Sequence, residues 1–173
     1  MNSKRVIITG FMGTGKTVVG KVLASKLKWL FFDADGLAET TEGMPVSEIF
    51  ERKGEAYFRK LEKRCLEGLV SMNEVVISTG GGTLLDPETL SMATENSAIV
   101  CLVASEEELK KRLAKDKTRP LLKGGLNAAL ELLKEREPLY KKIGTQVDTT
   151  GLTPEQVSDK ILELLGIDLA AEK

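Results

Sequence analysis

The sequence predicts an α/β fold, a five-stranded parallel sheet with helices on both faces. Three observations lead there. Five apolar runs of strand length recur along the 173 residues. Longer stretches with apolar residues at helical spacing alternate with them. Three of the runs close on Gly10, on Asp33 and on the Gly80-Gly81-Gly82 triplet, and the carboxyl ends of parallel strands are where such sheets bind ligands.

Val6-Ile7-Ile8-Thr9 reads as a strand buried on both faces. Lys16 to Lys28 carries Val18, Val19, Val22, Leu23 and Leu27 at helical spacing, and Leu30-Phe31-Phe32 forms a second strand closed by Asp33. Ser47 to Met72 is helical in pattern, interrupted near Gly54. Glu74 to Ser78 is the third strand. Asp86-Pro87-Glu88 opens a helix with aspartate as cap and proline at the first position. Ser97 to Val103 is the fourth strand. Ser105-Glu106-Glu107-Glu108 reads as a capping box, and that helix places Glu106, Glu107 and Glu108 four residues before Lys110, Lys111 and Arg112, the favourable order of charges. Lys115 to Gly125 has loop character. Asn127 to Lys142 is helical, with Pro138 expected to end it. Thr145 to Asp148 is the fifth strand, Thr153-Pro154-Glu155-Gln156 opens the last helix and Gly166 ends it, with residues 167–173 expected to fray.

The length fits one domain, residues 1–173. A net charge of −1 argues against a basic nucleic-acid surface. Histidine is absent, which removes Ser-His and Cys-His nucleophile pairs and histidine-ligated zinc. Cys65 and Cys101 form no CxxC pair and read as inert buried thiols of a reducing cytoplasm. No run of 18 apolar residues is present, so no membrane span is expected, and the apolar run before Gly10 is too short for a signal peptide. The expectation is a cytoplasmic protein with neither nucleic-acid nor membrane partner.

Gly10-Phe11-Met12-Gly13-Thr14-Gly15-Lys16-Thr17 matches GxxxxGK[ST] between a strand and a helix, the context that this phosphate-binding loop requires. Glycines let backbone N–H groups turn inward on phosphate oxygens, and the helix start adds positive charge. Lys16 is then placed for the β- and γ-phosphates and the Thr17 hydroxyl for Mg²⁺. The Asn-Lys-x-Asp signature of guanine-specific switches is missing, and the third and fourth strands end in Ser78-Thr79 and Ala104-Ser105 rather than in the acid of motor ATPases. A small-molecule kinase fits better. If the chain stays extended, Asp33 and Asp35 point to opposite sides, one toward metal and one toward an acceptor hydroxyl; the alternative is turn and cap chemistry. Arg59 and Glu62, three apart on one helical face, read first as a surface ion pair. The triple glycine offers close backbone approach to a ligand or a tight turn. Arg119 and Arg136 are either solvated charges or the cations that phosphoryl transfer and anion binding need.

Taken together, Gly10 to Thr17, Asp33-Ala34-Asp35, Gly54-Glu55-Ala56-Tyr57-Phe58-Arg59 with Glu62, Ser78-Thr79-Gly80-Gly81-Gly82, Arg119-Pro120-Leu121-Leu122, Arg136-Glu137-Pro138-Leu139-Tyr140 and Val147-Asp148-Thr149 with Pro154 resemble the shikimate kinase family. The resemblance implies a P-loop fold like that of nucleoside monophosphate kinases, with a mobile lid at about 112–125 and an acceptor-binding helical segment at about 34–62. It implies transfer of the ATP γ-phosphate to the 3-hydroxyl of shikimate, in aromatic amino-acid (chorismate) biosynthesis, with Mg²⁺; from size, composition and the lack of a surplus amphipathic helix, a monomer is expected. Carried over, Gly13, Thr14, Gly15, Lys16 and Thr17 hold the phosphates; Thr17, and Asp33 through water, hold the metal; Asp35 meets the shikimate hydroxyls. Arg59 and Arg136 clamp the carboxylate, Gly80, Gly81 and Gly82 line the acceptor pocket, Arg119 closes on the phosphates, and Arg112 and Pro154 flank the adenine. Lys16, Asp35 and Arg119 would be the catalytic set. The chain departs from the family pattern at Ala38, where isoleucine often precedes the glutamate, and in its glycine-rich Lys123-Gly124-Gly125. A gluconate or nucleoside monophosphate kinase, and a nucleotide-dependent regulatory module without catalysis, are the rival readings.

Overall fold

The computed structural model describes residues 4–115 and 125–167. Arg119, most of the expected lid and the last six residues of the chain lie outside them. The elements in chain order are β1 (Arg5–Gly10), α1 (Lys16–Leu27), β2 (Leu30–Asp33), α2 (Ala34–Glu42), α3 (Val46–Lys53), α4 (Glu55–Leu69), β3 (Val75–Ser78), α5 (Pro87–Thr94), β4 (Ala98–Val103), α6 (Glu106–Lys115), α7 (Gly125–Tyr140), β5 (Thr145–Asp148) and α8 (Pro154–Leu165). A short 3-10 helix, Thr83–Leu85, precedes α5.

The five strands form one parallel sheet in the order β2-β3-β1-β4-β5. β1 is central, with Ile7 in register with Ile77 on one side and Ile99 on the other. Its side chains alternate between two cores, as a strand covered on both faces requires. Val6 and Ile8 pack with Val19 and Leu23 of α1 and Val157 and Ile161 of α8. Ile7 packs on the opposite face with Leu66 of α4, Leu109 of α6 and Tyr140 of α7. Each such fully buried aliphatic side chain contributes roughly 1.5–3 kcal/mol. A smaller third cluster of Ala38, Ile49, Phe58, Leu61 and Cys65 holds α2, α3 and α4 together.

Most boundaries follow local chemistry. Asp86 accepts from Thr89 N at 2.9 Å with Pro87 beside it, and Thr153 and Gln156 form a reciprocal capping box on α8. Gly54 breaks α3 from α4, with φ 81° and ψ 166°. Three expectations are corrected. The chain does not stay extended after Asp33: the Asp33 carboxylate caps α2, so Asp35 stands in the first turn of a helix rather than on the opposite side of a strand. Pro138 does not end its helix, because α7 runs to Tyr140 and a proline this near the end removes one backbone bond without stopping the turn. The Ser105 box forms only by half. Glu108 N reaches Ser105 Oγ at 3.3 Å, but Ser105 N donates to Thr150 Oγ1 and the Glu108 carboxylate is taken by Arg112.

Candidate active site

The loop after β1 is built for an anion. Gly13 and Gly15 have φ of 82° and 94°, a region that side chains resist. No side chain caps α1 and its first turn carries no acid, so its leading N–H groups and dipole face the loop. Thr14 Oγ1 donates to Phe11 O at 2.8 Å, bracing the loop. Lys16 is buried, and its Nζ donates to Phe11 O at 3.1 Å, which draws the ammonium into the loop.

Thr17, at the second position of α1, donates from Oγ1 to Asp33 Oδ2 at 2.7 Å. The other oxygen of Asp33 accepts from the N–H groups of Asp35 at 3.1 Å and Gly36 at 3.4 Å. One carboxylate therefore starts α2 and fixes a hydroxyl beside the phosphate loop.

The other half of the cleft comes from α4, α7 and the loop after β3. Arg59 Nη1 meets Glu62 Oε2 at 2.6 Å, and Nη2 meets Glu55 Oε1 at 3.0 Å. This is not a surface pair. The Glu62 side chain is 2% exposed, and its Oε1 accepts from Thr83 Oγ1 at 2.7 Å. Burial opposes the Arg59 charge, but the Glu62 and Glu55 carboxylates outweigh it and hold the guanidinium above its ordinary pKa. The triple glycine lies against these groups. A Cβ on Gly80 would collide with the Glu62 carboxylate and come to 2.8 Å from Asp35 Oδ1. A Cβ on Gly82 would lie 2.8 Å from Arg59 Nη1.

Both halves line one cleft of about 730 Å³, which takes in Gly13, Gly15, Lys16 and Thr17 together with Asp33, Asp35, Arg59, Gly80 to Gly82 and Arg136. Arg112 and Pro154 stand outside it. Arg112 donates to Gly13 O at 3.2 Å and to Thr149 O at 2.9 Å, tying α6 to the phosphate loop and to the turn after β5, while Pro154 opens α8 five residues beyond Thr149. Two participants were not singled out for a role of their own by sequence. The i, i+3 spacing of Glu62 from Arg59 signals only a pair, and its buried carboxylate accepts from Thr83, 21 residues on. Tyr140 donates to Gly81 O at 2.6 Å; an aromatic within a helical pattern gives no sign of that reach.

The sequence matches the model of a family described as shikimate kinase over residues 12–166. A shikimate kinase of Caldicellulosiruptor bescii is 42% identical over 163 residues, covering 93% of this chain and 95% of that protein. One of Thermodesulfovibrio yellowstonii is 42% identical over 162 residues, covering 92% and 94%. Among solved structures, shikimate kinase from Acinetobacter baumannii in complex with shikimate superposes with a TM-score of 0.85 at 32% identity, covering 99% of this chain and 96% of that one. The enzyme from Aquifex aeolicus gives 0.82 at 38% identity, covering 94% and 96%. A gluconokinase from Sinorhizobium meliloti, at 18% identity and a TM-score of 0.63 over 95% and 92% of the chains, shares the fold.

Proposed function

This chain belongs to the shikimate kinase family and is an ATP-dependent kinase that makes shikimate 3-phosphate and ADP, and from that premise we propose how its own residues carry the transfer. The observation that supports the assignment is the single cleft shared by the phosphate loop and the two arginines. An anionic alcohol held at one end has its hydroxyl directed toward a nucleotide held at the other.

The Gly13–Thr17 backbone and Lys16 bind the β- and γ-phosphates, with Lys16 Nζ moving from Phe11 O onto phosphate oxygen. The pair Thr17 Oγ1 and Asp33 Oδ2 suits Mg²⁺: both are hard oxygen donors, and this ion takes few protein groups and keeps waters and phosphate oxygens as its other ligands. Among the described residues no group of three or more His, Cys, Asp and Glu side chains could hold a metal, so an all-protein cage is not what this site offers. When bound, Mg²⁺ neutralises charge on the β- and γ-oxygens.

Arg59 and Arg136 receive the shikimate carboxylate, since guanidinium forks match planar anions. The Gly80–Gly82 backbone lines the ring. Asp35, in the first turn of α2, accepts the hydrogen bond of the 3-hydroxyl. That oxygen attacks the γ-phosphorus as the bond to the β-bridging oxygen breaks, the proton passes to the Asp35 carboxylate, and ADP leaves. Positioning supplies most of the acceleration in such a reaction, roughly 7–11 kcal/mol. Arg119 closes on the transferring group from a lid at about 112–125, and residues 34–62 form the acceptor-binding segment. Arg112 and Pro154 flank the adenine.

A monomeric cytoplasmic enzyme completes the reading. In support, the exposed large apolar residues Val18, Leu30, Tyr57, Leu139 and Leu164 stand on five different elements, both thiols are free and buried, and among the described residues no helix is long and apolar enough to cross a membrane.

The test is ADP release with MgATP in the presence of shikimate, gluconate or AMP. We expect ADP only with shikimate. Release with gluconate or AMP instead would discard the carboxylate pocket, and nucleotide binding without turnover on any acceptor would favour a regulatory protein.

A further inference from the structure

Tyr140 is the last residue of α7, four residues after Arg136 and so on the same helical face. Its ring is 3% exposed and meets the Phe11 ring of the phosphate loop edge-on, with centroids 6.5 Å apart at 69°. Its backbone carbonyl accepts from Gln146 Nε2 of β5 at 2.9 Å, which fixes the end of the helix against the sheet. Its hydroxyl donates to Gly81 O at 2.6 Å, and Arg136 lines the cleft beside the same glycine turn. One hydroxyl therefore ties the end of the helix that carries one of the two cleft arginines to the backbone of the glycine turn.

We propose that the Tyr140 hydroxyl is a positioning group for acceptor binding, holding the end of α7 that carries Arg136 in register with the Gly80–Gly82 turn so that both meet the acid as one preformed surface. The inference rests on the reading of Arg136 as a ligand of the shikimate carboxylate. Without the hydroxyl, Arg136 keeps its charge but its end of α7 loses the tie to the turn, and Gly81 O loses its donor. Preorganisation of this kind acts on acceptor affinity rather than on the phosphoryl step. Burial pushes the hydroxyl up to about 12, so it stays protonated and remains a donor to Gly81 O at neutral pH.

Tyr140→Phe keeps the ring against Phe11 and removes only the oxygen. We expect the shikimate KM, and the shikimate Kd by calorimetry, to rise about 10-fold, with kcat and the ATP KM within about twofold. In an Arg136→Ala background the same substitution is expected to change shikimate affinity by less than about twofold, because the group it positions is gone. A merely structural role would lower thermal stability and the active fraction while leaving both KM values in place, and that result would overturn the proposal. A full additional loss in the Arg136→Ala background would overturn it as well. Unchanged shikimate affinity in Arg136→Ala alone would instead remove the clamp reading, and this inference with it.

Discussion

Thr17 Oγ1 donates to Asp33 Oδ2 at 2.7 Å, while Asp33 Oδ1 accepts from the backbone of Asp35 and Gly36. The residue that ends β2 thus caps α2 and orients the hydroxyl that follows the phosphate-loop lysine. The phosphate loop and α2 are joined through one carboxylate, and its two duties can be separated.

Asparagine caps helices about as well as aspartate. Asp33→Asn should therefore fold with stability within about 0.5 kcal/mol of the parent. It loses the negative oxygen that a hard cation prefers. We expect the Mg²⁺ concentration for half-maximal rate to rise about 10-fold at saturating substrates, one lost charge-assisted contact being worth about 1.5 kcal/mol or more. An unchanged Mg²⁺ dependence would leave Asp33 as a cap alone.

Arg59 and Glu62 make the second separable pair. The Glu62 side chain is 2% exposed and that of Arg59 32%. Removing a partner from a buried ion pair leaves an uncompensated charge, though partial exposure of Arg59 reduces the penalty. Arg59→Ala should lower unfolding stability of the ligand-free protein by about 2–3 kcal/mol. Adding Glu62→Gln should restore part of it, since a neutral amide still pairs with Thr83 Oγ1. Denaturant midpoints of the two variants decide this without reference to activity. A double variant no more stable than Arg59→Ala alone would mean that the buried carboxylate is not what the arginine stabilises.

Gly82→Ala isolates the geometry of the acceptor end. Gly82 has φ −100° and ψ −12°, which alanine adopts without strain. The added Cβ would meet Arg59 Nη1 at 2.8 Å, Nη2 at 2.9 Å and Cζ at 3.0 Å, so the guanidinium must swing away. The shikimate KM should rise about 10-fold while the ATP KM stays close to the parent value, and the melting temperature should fall less than in Arg59→Ala, because the displaced guanidinium keeps its charge near Glu62. A variant with normal shikimate KM would show that Arg59 need not stand where it does.

The strands, the phosphate loop and most helix caps were legible because each depends on residues within a few positions of one another. Asp33 was legible as an acid at a strand end. Its capping role was not distinguished from metal chemistry, because both call for an aspartate at that spot. Glu62 was read as a surface partner of Arg59 because i, i+3 spacing says nothing about what covers the face; Thr83 and Gly80, brought over by β3, cover it. Pro138 misled for a local reason, since it stands near the end of α7, where the loss of one backbone donor does not stop the helix and only two helical residues follow. Tyr140 needed the fold itself, its partner Gly81 standing 59 residues away.

The two most strongly shifted acids give a dependence on alkaline pH whose sign follows from burial. Cys101 lies in β4 in register with Thr9 of β1, and burial pushes its thiol from 9.0 up to about 11. Burial likewise pushes Tyr140 from 10.0 up to about 12. Both groups are held neutral in the folded chain and ionise at lower pH in the unfolded one, so over those intervals the folded state binds more protons. Stability is full below about pH 9 and falls as pH rises, through Cys101 first and Tyr140 next, with up to about 3 kcal/mol attached to each two-unit shift. Lysine deprotonation acts over the same range, so the comparison must be internal. Cys101→Ala starts lower because it opens a small gap in the core, but it lacks the thiol and should lose less stability than the parent between about pH 8.5 and 10.5. Urea midpoints at the two pH values measure the difference. Equal losses in parent and variant would show that the thiol does not carry the alkaline limb.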